Sequence, residues 1–129
     1  MAGVLVRGTE VLLGHRSPDR RWYPDVWDLP GGHVEPGEGE HEALARELRE
    51  EVGVVPQRVD PAPVLRIEDG EVHLVLWMVR SWDGEPRNLQ PHEHDELRWV
   101  AAPEVQRLRL AHPSYAGLLT RLLGGPATG

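Results

Sequence analysis

Residues 27–54 read WDLPGGHVEPGEGEHEALARELREEVGV, a glycine-punctuated loop that runs straight into a helix dense in carboxylates. Pro30-Gly31-Gly32 and Pro36-Gly37 mark a stretch where the backbone bends sharply and approaches a neighbour closely, because glycine has no side chain to hold anything away. From Gly39 to Val52 the pattern turns helical. Leu44, Leu48 and Val52 recur at i+4 spacing with Ala45 beside them, and Gly53 stands where a helix stop belongs. At the helical angular step Glu47, Glu50 and Glu51 fall within an arc of about 100° beside that apolar stripe, near the rim of the core.

Two readings of this acidic arc are open. A solvated helix face, with Arg46 and Arg49 pairing at neighbouring turns, costs little, since a like-charge pair on an exposed helix is worth only about 0.2–0.5 kcal/mol. Enclosure changes the balance: two carboxylates ~6 Å apart repel by roughly 3 kcal/mol at an effective dielectric of ~20. A partly enclosed cluster requires a cation.

The whole pattern adds what charge alone does not. Gly32, Glu38, Arg46-Glu47-Leu48, Glu50-Glu51 and Gly53-Val54 stand at the spacing of the Nudix box, and the chain resembles the Nudix hydrolase family with no departure at a signature position. The resemblance implies hydrolysis of a nucleoside diphosphate linked to another group, with Mg²⁺ or Mn²⁺ as cofactor and water attacking phosphorus. It further implies that Glu50 and Glu51 are metal ligands, that Glu47 is a ligand or the base, and that the carbonyl of Gly31 completes the coordination. Arg46 would orient a catalytic glutamate; Glu38 would tie loop to helix, with Gly32 and Gly53 structural. Relatives of the MutT type take an extra acid from the loop before the last strand, here His92-Glu93-His94-Asp95-Glu96. Counting back from Trp99 points to Glu93, with Glu96 and the two histidines as rivals.

Around the box, Gly3–Arg7 and Val11–Gly14 flank the turn Gly8-Thr9-Glu10 and read as a β-hairpin. A polar loop from His15 to Pro24 leads to a short strand over Val26–Leu29. Arg16 and Arg21 on that loop are candidates for substrate phosphates, which planar bidentate donors suit. After the box, Val54–Asp60 and Pro63–Ile67 read as extended and Asp69-Gly70 as a tight turn. Val72–Trp82, apolar at both alternations, reads as the strand at the sheet centre. A turn at Asp83-Gly84 and a long loop precede the closing strand Glu96–Ala101. Pro103 opens a short helix to about Leu108, and Ser114 caps a last helix to Leu123. The expected fold class is α/β: a central mixed β-sheet between the box helix and a C-terminal helix, an α/β/α sandwich similar to the Nudix fold.

At 129 residues and 14.5 kDa, with no cysteine, the expectation is a single domain over 1–129 that needs no disulfide staples. No apolar run is long enough to span a bilayer, and the first residues lack a signal-peptide layout, which suits a cytoplasmic protein. The net charge of −7 with no basic tail argues against nucleic-acid polymers and anionic membranes. The expected partner is a small-molecule nucleotide, and the chain is a monomer or homodimer.

For substrate, family members that act on ADP-ribose carry a proline past the box, and those that act on dinucleoside polyphosphates a tyrosine; Ile67–Val72 has neither. The compact length and the WDLPGG run resemble MutT-type pyrophosphohydrolases, which convert a (d)NTP to a (d)NMP and pyrophosphate, with oxidised nucleotides such as 8-oxo-dGTP among the candidates. His112 stands near the place where an asparagine reads the base in the oxidised-guanine enzyme of that type. The alternatives are a hydrolase of ADP-ribose or a nucleotide sugar, and a non-catalytic nucleotide sensor. Sensors lose box glutamates, and none is missing here.

Overall fold

The computed structural model describes residues 1–19, 24–70 and 72–124. The chain divides into two compact units, Met1–Leu5 with Leu29–Gln90, and Val6–Asp28 with Pro91–Gly129.

In the first unit, β6 (Val72–Asp83) is the central strand. The first half of β1 (Ala2–Arg7) lies parallel to it, Ala2 opposite Leu76 and Leu5 opposite Val79. Antiparallel partners are β5 (Leu65–Asp69), joined through the turn at Gly70, and β4 (Val55–Val59). The sheet is therefore mixed. Val75 to Val79 are all buried, so both faces of β6 are covered at its centre, as the run of apolar residues requires. The box helix, α1 (Glu40–Val52), buries Ala43, Leu44, Leu48 and Val52. A Cβ on Gly3 would meet Leu44 at 3.1 Å and Val79 at 3.4 Å, so helix and sheet meet closely at this glycine. Fully burying each leucine contributes roughly 1.5–3 kcal/mol.

The apolar face of α1 differs from the expected one by a single position: Ala43 is buried and Ala45 only half-buried. The helix ends as expected. Gly53 takes the left-handed conformation, φ 74°, and donates its N–H to the carbonyls of Arg49 and Leu48.

In the second unit, β2 (Glu10–Arg16) pairs with the end of β1, with β3 (Trp27–Asp28) and with β7 (His94–Ala101), all antiparallel. α2 (Ala102–Val105) and α3 (Tyr115–Leu122) follow, with Tyr115, Leu118 and Leu119 buried. Four expectations are corrected here. The first residues of the expected polar loop, His15 and Arg16, continue β2. β7 starts at His94 and not at Glu96. α2 ends at Val105, and the chain goes on to Leu108 in tight turns, Arg107 N–H to Glu104 O at 2.9 Å and Leu108 N–H to Val105 O at 3.3 Å. Ser114 occupies the cap position of α3 with helical dihedrals and no capping hydrogen bond, because its hydroxyl lies 2.7 Å from His112 Nδ1. Among the described residues no helix is long and apolar enough to cross a membrane.

Candidate active site

The box loop is fixed first by backbone. Pro30 O accepts from Gly3 N–H at 2.8 Å, Gly32 N–H donates to Met1 O at 2.9 Å, and the Met1 ammonium donates to Gly32 O at 2.8 Å. The loop thus lies against residues 1–3 like a short extra strand, with Ala2 opposite Gly31. There is no room for a side chain: a Cβ on Gly31 would overlap the Met1 carbonyl, and one on Gly32 would overlap the Glu47 carboxylate. That approach explains both glycines without invoking unusual dihedrals.

Arg46 then gathers the acids. Its Nε and Nη2 make a two-pronged contact with Glu38, at 2.8 and 3.0 Å. Its Nη1 reaches Glu47 Oε1 at 3.0 Å and Glu50 Oε2 at 3.3 Å, and its Nη2 donates to His33 O at 3.0 Å. Glu38 also accepts from Glu35 N–H at 3.0 Å, so a single acid joins the loop to the helix through Arg46. The Arg46 hydrogen bond, and after it the Glu35 N–H, hold the Glu38 carboxyl below the usual carboxylate range; Glu38 in turn pushes the guanidinium further up. Glu51 is only 8% exposed, inside the rim where the helical wheel placed it, and its Oε2 accepts from Gly31 N–H at 2.8 Å. Glu50 is the outermost, its side chain 49% exposed.

These contacts bring Glu38, Arg46, Glu47, Glu50, Glu51, Gly31 and Gly32 into one assembly. Three carboxylates occupy the last two turns of α1, the negative end of the helix dipole, where anions are disfavoured. Arg46 offsets part of that charge. The set consists of hard oxygen donors, and its charge and donor type suit a hard divalent cation and not a soft one.

In the second unit Arg16 is not a loop arginine reaching into solvent. Its side chain is 14% exposed and its Nη1 lies 3.9 Å from Asp28 Oδ2. Asp28 Oδ1 accepts from the buried Tyr115 hydroxyl at 3.0 Å. Burial first, and Asp28 second, push the Tyr115 phenol well above its ordinary pKa. His112 Nδ1 is engaged by Ser114, through the hydroxyl and through the backbone N–H at 3.1 Å. Arg21 lies outside the described residues. Of the two candidate extra acids, Glu96 in β7 is paired with Arg98 at 2.7 and 2.8 Å. Glu93 is half-buried, and its backbone carbonyl accepts from Ser17 N–H at 3.0 Å. Asp28 and Tyr115 were missed in the sequence; Asp28 sits within the box run itself, but nothing in that pattern pairs it with a residue 87 positions later.

A glutamate-rich helix closed onto a glycine loop on a mixed sheet puts a cluster of hard oxygen donors beside the loop backbone, an arrangement that the comparisons with known proteins assign to a class. Residues 1–122 match the family model of the NUDIX domain, and the chain belongs to that family. It is 36% identical over 115 residues to a CTP pyrophosphohydrolase of Escherichia coli, covering 86% of this chain and 81% of that one. It is 37% identical over 79 residues to the 8-oxo-dGTP diphosphatase of Escherichia coli, 60% of each chain. A solved MutT structure, from work on Aliivibrio salmonicida and Vibrio cholerae, superposes with a TM-score of 0.80 over 95% of this chain and 94% of that one, at 21% identity, and shows the same fold. The protein is a Nudix hydrolase, a divalent-metal-dependent enzyme that cleaves the pyrophosphate bond of nucleoside diphosphate derivatives.

Proposed function

We propose that this enzyme converts a (d)NTP to a (d)NMP and pyrophosphate, with a cytidine or an oxidised guanine nucleotide as the leading substrates. The arrangement of Glu47, Glu50 and Glu51 around Arg46 and the Gly31–Gly32 loop carries the reading. The names of the two Escherichia coli relatives support the triphosphate class.

In this reading Glu47, Glu50, Glu51 and the Gly31 carbonyl hold Mg²⁺ or Mn²⁺. When bound, the ion neutralises phosphate charge and lowers the pKa of water. Arg46 holds Glu47 and Glu50 in place, and Glu38 holds Arg46. Water attacks phosphorus as its proton passes to a carboxylate, Glu47 or Glu93; the bridging P–O bond breaks and the displaced phosphate group departs with the bonding electrons. Glu93 is preferred to Glu96 as the extra acid because counting back from Trp99 points to it. Arg16 and Arg21 are proposed to face phosphates. His112 is proposed to face the base, with Ser114 fixing its ring, so the donors and acceptors it offers are few and selectivity among bases is broad. We read 1–129 as one Nudix domain acting in the cytoplasm, as a monomer or homodimer.

The test is a nucleotide panel with Mg²⁺, scored for pyrophosphate and inorganic phosphate separately. Pyrophosphate with a nucleoside monophosphate is expected from CTP or 8-oxo-dGTP, and none in the presence of EDTA. Exclusive turnover of ADP-ribose or a nucleotide sugar would overturn the substrate assignment.

A further inference from the structure

The end of β2 carries a polar assembly that the box pattern does not involve. His15 places Nδ1 2.7 Å from Asp95 Oδ1 and Nε2 3.0 Å from Asp25 Oδ1, and its ring centroid lies 5.0 Å from that of Trp27. Each ring nitrogen therefore faces a carboxylate, and the imidazole spans the two acids. Asp25 is held on its side by its own backbone: its N–H donates to Arg16 O at 3.1 Å, and its φ of 61° lies in the left-handed region that aspartate enters more readily than most non-glycine residues.

Asp95 is not an ordinary strand residue. Pairing between β2 and β7 runs unbroken from Glu10 opposite Ala101 to His15 opposite Glu96, and the next pair is Arg16 opposite His94. Asp95 is the extra residue, a β-bulge, and the Ser17 N–H to Glu93 O bond continues the pairing beyond it. An inserted residue breaks the alternation of a strand, so residues upstream of it emerge on the face opposite to the one an unbroken strand would give them. Glu93 lies two residues upstream. Its direction depends on the bulge being kept, and the bulge residue is the one that His15 holds.

We infer that His15 is a positioning residue for Glu93, acting through Asp95. The inference rests on the proposal that Glu93 supplies the extra acid. His15 pins the bulge by its side chain while Ser17 pins the Glu93 backbone, and the two bonds together fix where the carboxyl emerges. Asp25, on the far side of the ring, steadies the imidazole without touching the bulge.

The experiment measures kcat and KM for His15→Phe, Asp95→Ala and Asp25→Ala, each in the parent and in a Glu93→Gln background, with thermal unfolding of every variant. His15→Phe and Asp95→Ala are expected to lower kcat at least about tenfold, within the range a positioned acid or base contributes, while KM stays within about threefold. Asp25→Ala is expected to lower kcat by less than about threefold, since the contact with the bulge survives. In the Glu93→Gln background neither His15→Phe nor Asp95→Ala should reduce kcat further, because a residue that acts by aiming Glu93 has nothing left to aim. Losses that multiply with that of Glu93→Gln overturn the inference. Parent-like kcat in Asp95→Ala also overturns it, and this variant serves even where His15→Phe does not fold, since the Asp95 side chain is 47% exposed. A fully active Glu93→Gln enzyme brings down the assignment of Glu93 and the role of His15 with it, whereas an impaired Glu93→Gln beside an unimpaired Asp95→Ala removes His15 alone.

Discussion

The box loop and the segment around Glu93 are built by different means. Pro30–Gly32 is held by main-chain hydrogen bonds to residues 1–3, and the acids behind it by one arginine with five hydrogen bonds to loop and helix. The segment around Glu93 is held by main-chain pairing with β2, Ser17 N–H to Glu93 O included, together with separate side-chain pairs, His15 with Asp95 and Arg98 with Glu96. The first arrangement depends on spacing and on the absence of side chains, so it tolerates almost no substitution. The second depends on the identity of each partner and can be rebuilt pair by pair.

The sharpest way to break this contrast is to add a single methyl to the loop. Gly32→Ala would press against the Glu47 carboxylate, and since a 1 Å misplacement of a reacting group can cost about 10²-fold, kcat should fall at least that far. Near-parent turnover with Mg²⁺ would show that the loop yields. Next come the acids themselves. Glu51→Gln and Glu50→Gln should each lower kcat at least about tenfold through weaker cation binding, with Glu51 the worse because it is buried and bonded to Gly31. Measuring rate against Mg²⁺ concentration separates ligand loss, which shifts the curve, from a change elsewhere, which does not.

Smaller effects test single side-chain pairs in each region. Tyr115→Phe removes one hydrogen bond to a carboxylate and should destabilise the fold by about 1.5 kcal/mol in urea unfolding. Because the folded state raises the phenol pKa, this contribution is complete below the ordinary tyrosine value near pH 10 and is lost as pH rises above it. The parent and Tyr115→Phe should therefore converge in alkali. Glu38 has the opposite sign. Its lowered pKa contributes stability above about pH 4.5 that is lost as pH falls through the folded value, so the gap in urea midpoint between the parent and Glu38→Gln should narrow from pH 6 to pH 3. A constant gap over that range would mean that the ion pair with Arg46 does not bear on stability.

The same contrast explains what the sequence made legible. The end of α1 was readable because only glycine takes the left-handed turn at Gly53 cheaply, and the centre of the sheet because a doubly covered strand must be apolar on both alternations, as Val75 to Val79 are. The glutamates were readable as a group, since helical geometry alone puts them on one arc. Their unequal burial was not: Glu51 turns inward because Gly31 offers it an N–H, which is a tertiary fact. Ser114 misled for a similar reason, its hydroxyl being taken by His112 in place of the helix end. Nothing local marks Asp95 as a bulge or sets Arg16 beside Asp28, because strand register is decided by the partner strand.

The parallel contact between β1 and β6 also bears on how the enzyme is made. Residues 2–5 pair with 76–79, and closing so long a stretch of chain carries an entropic cost that local contacts do not. On the ribosome the box helix is complete in sequence once residue 52 has been added, yet the strand that flanks β1 is finished only a few seconds later at about 5–20 residues per second. The loop that leans on residues 1–3 has its footing secured only when β6 arrives. The glutamate-lined helix is thus synthesised before the strand that secures the loop beside it, and loop and helix reach their final surroundings only with that long-range sheet contact.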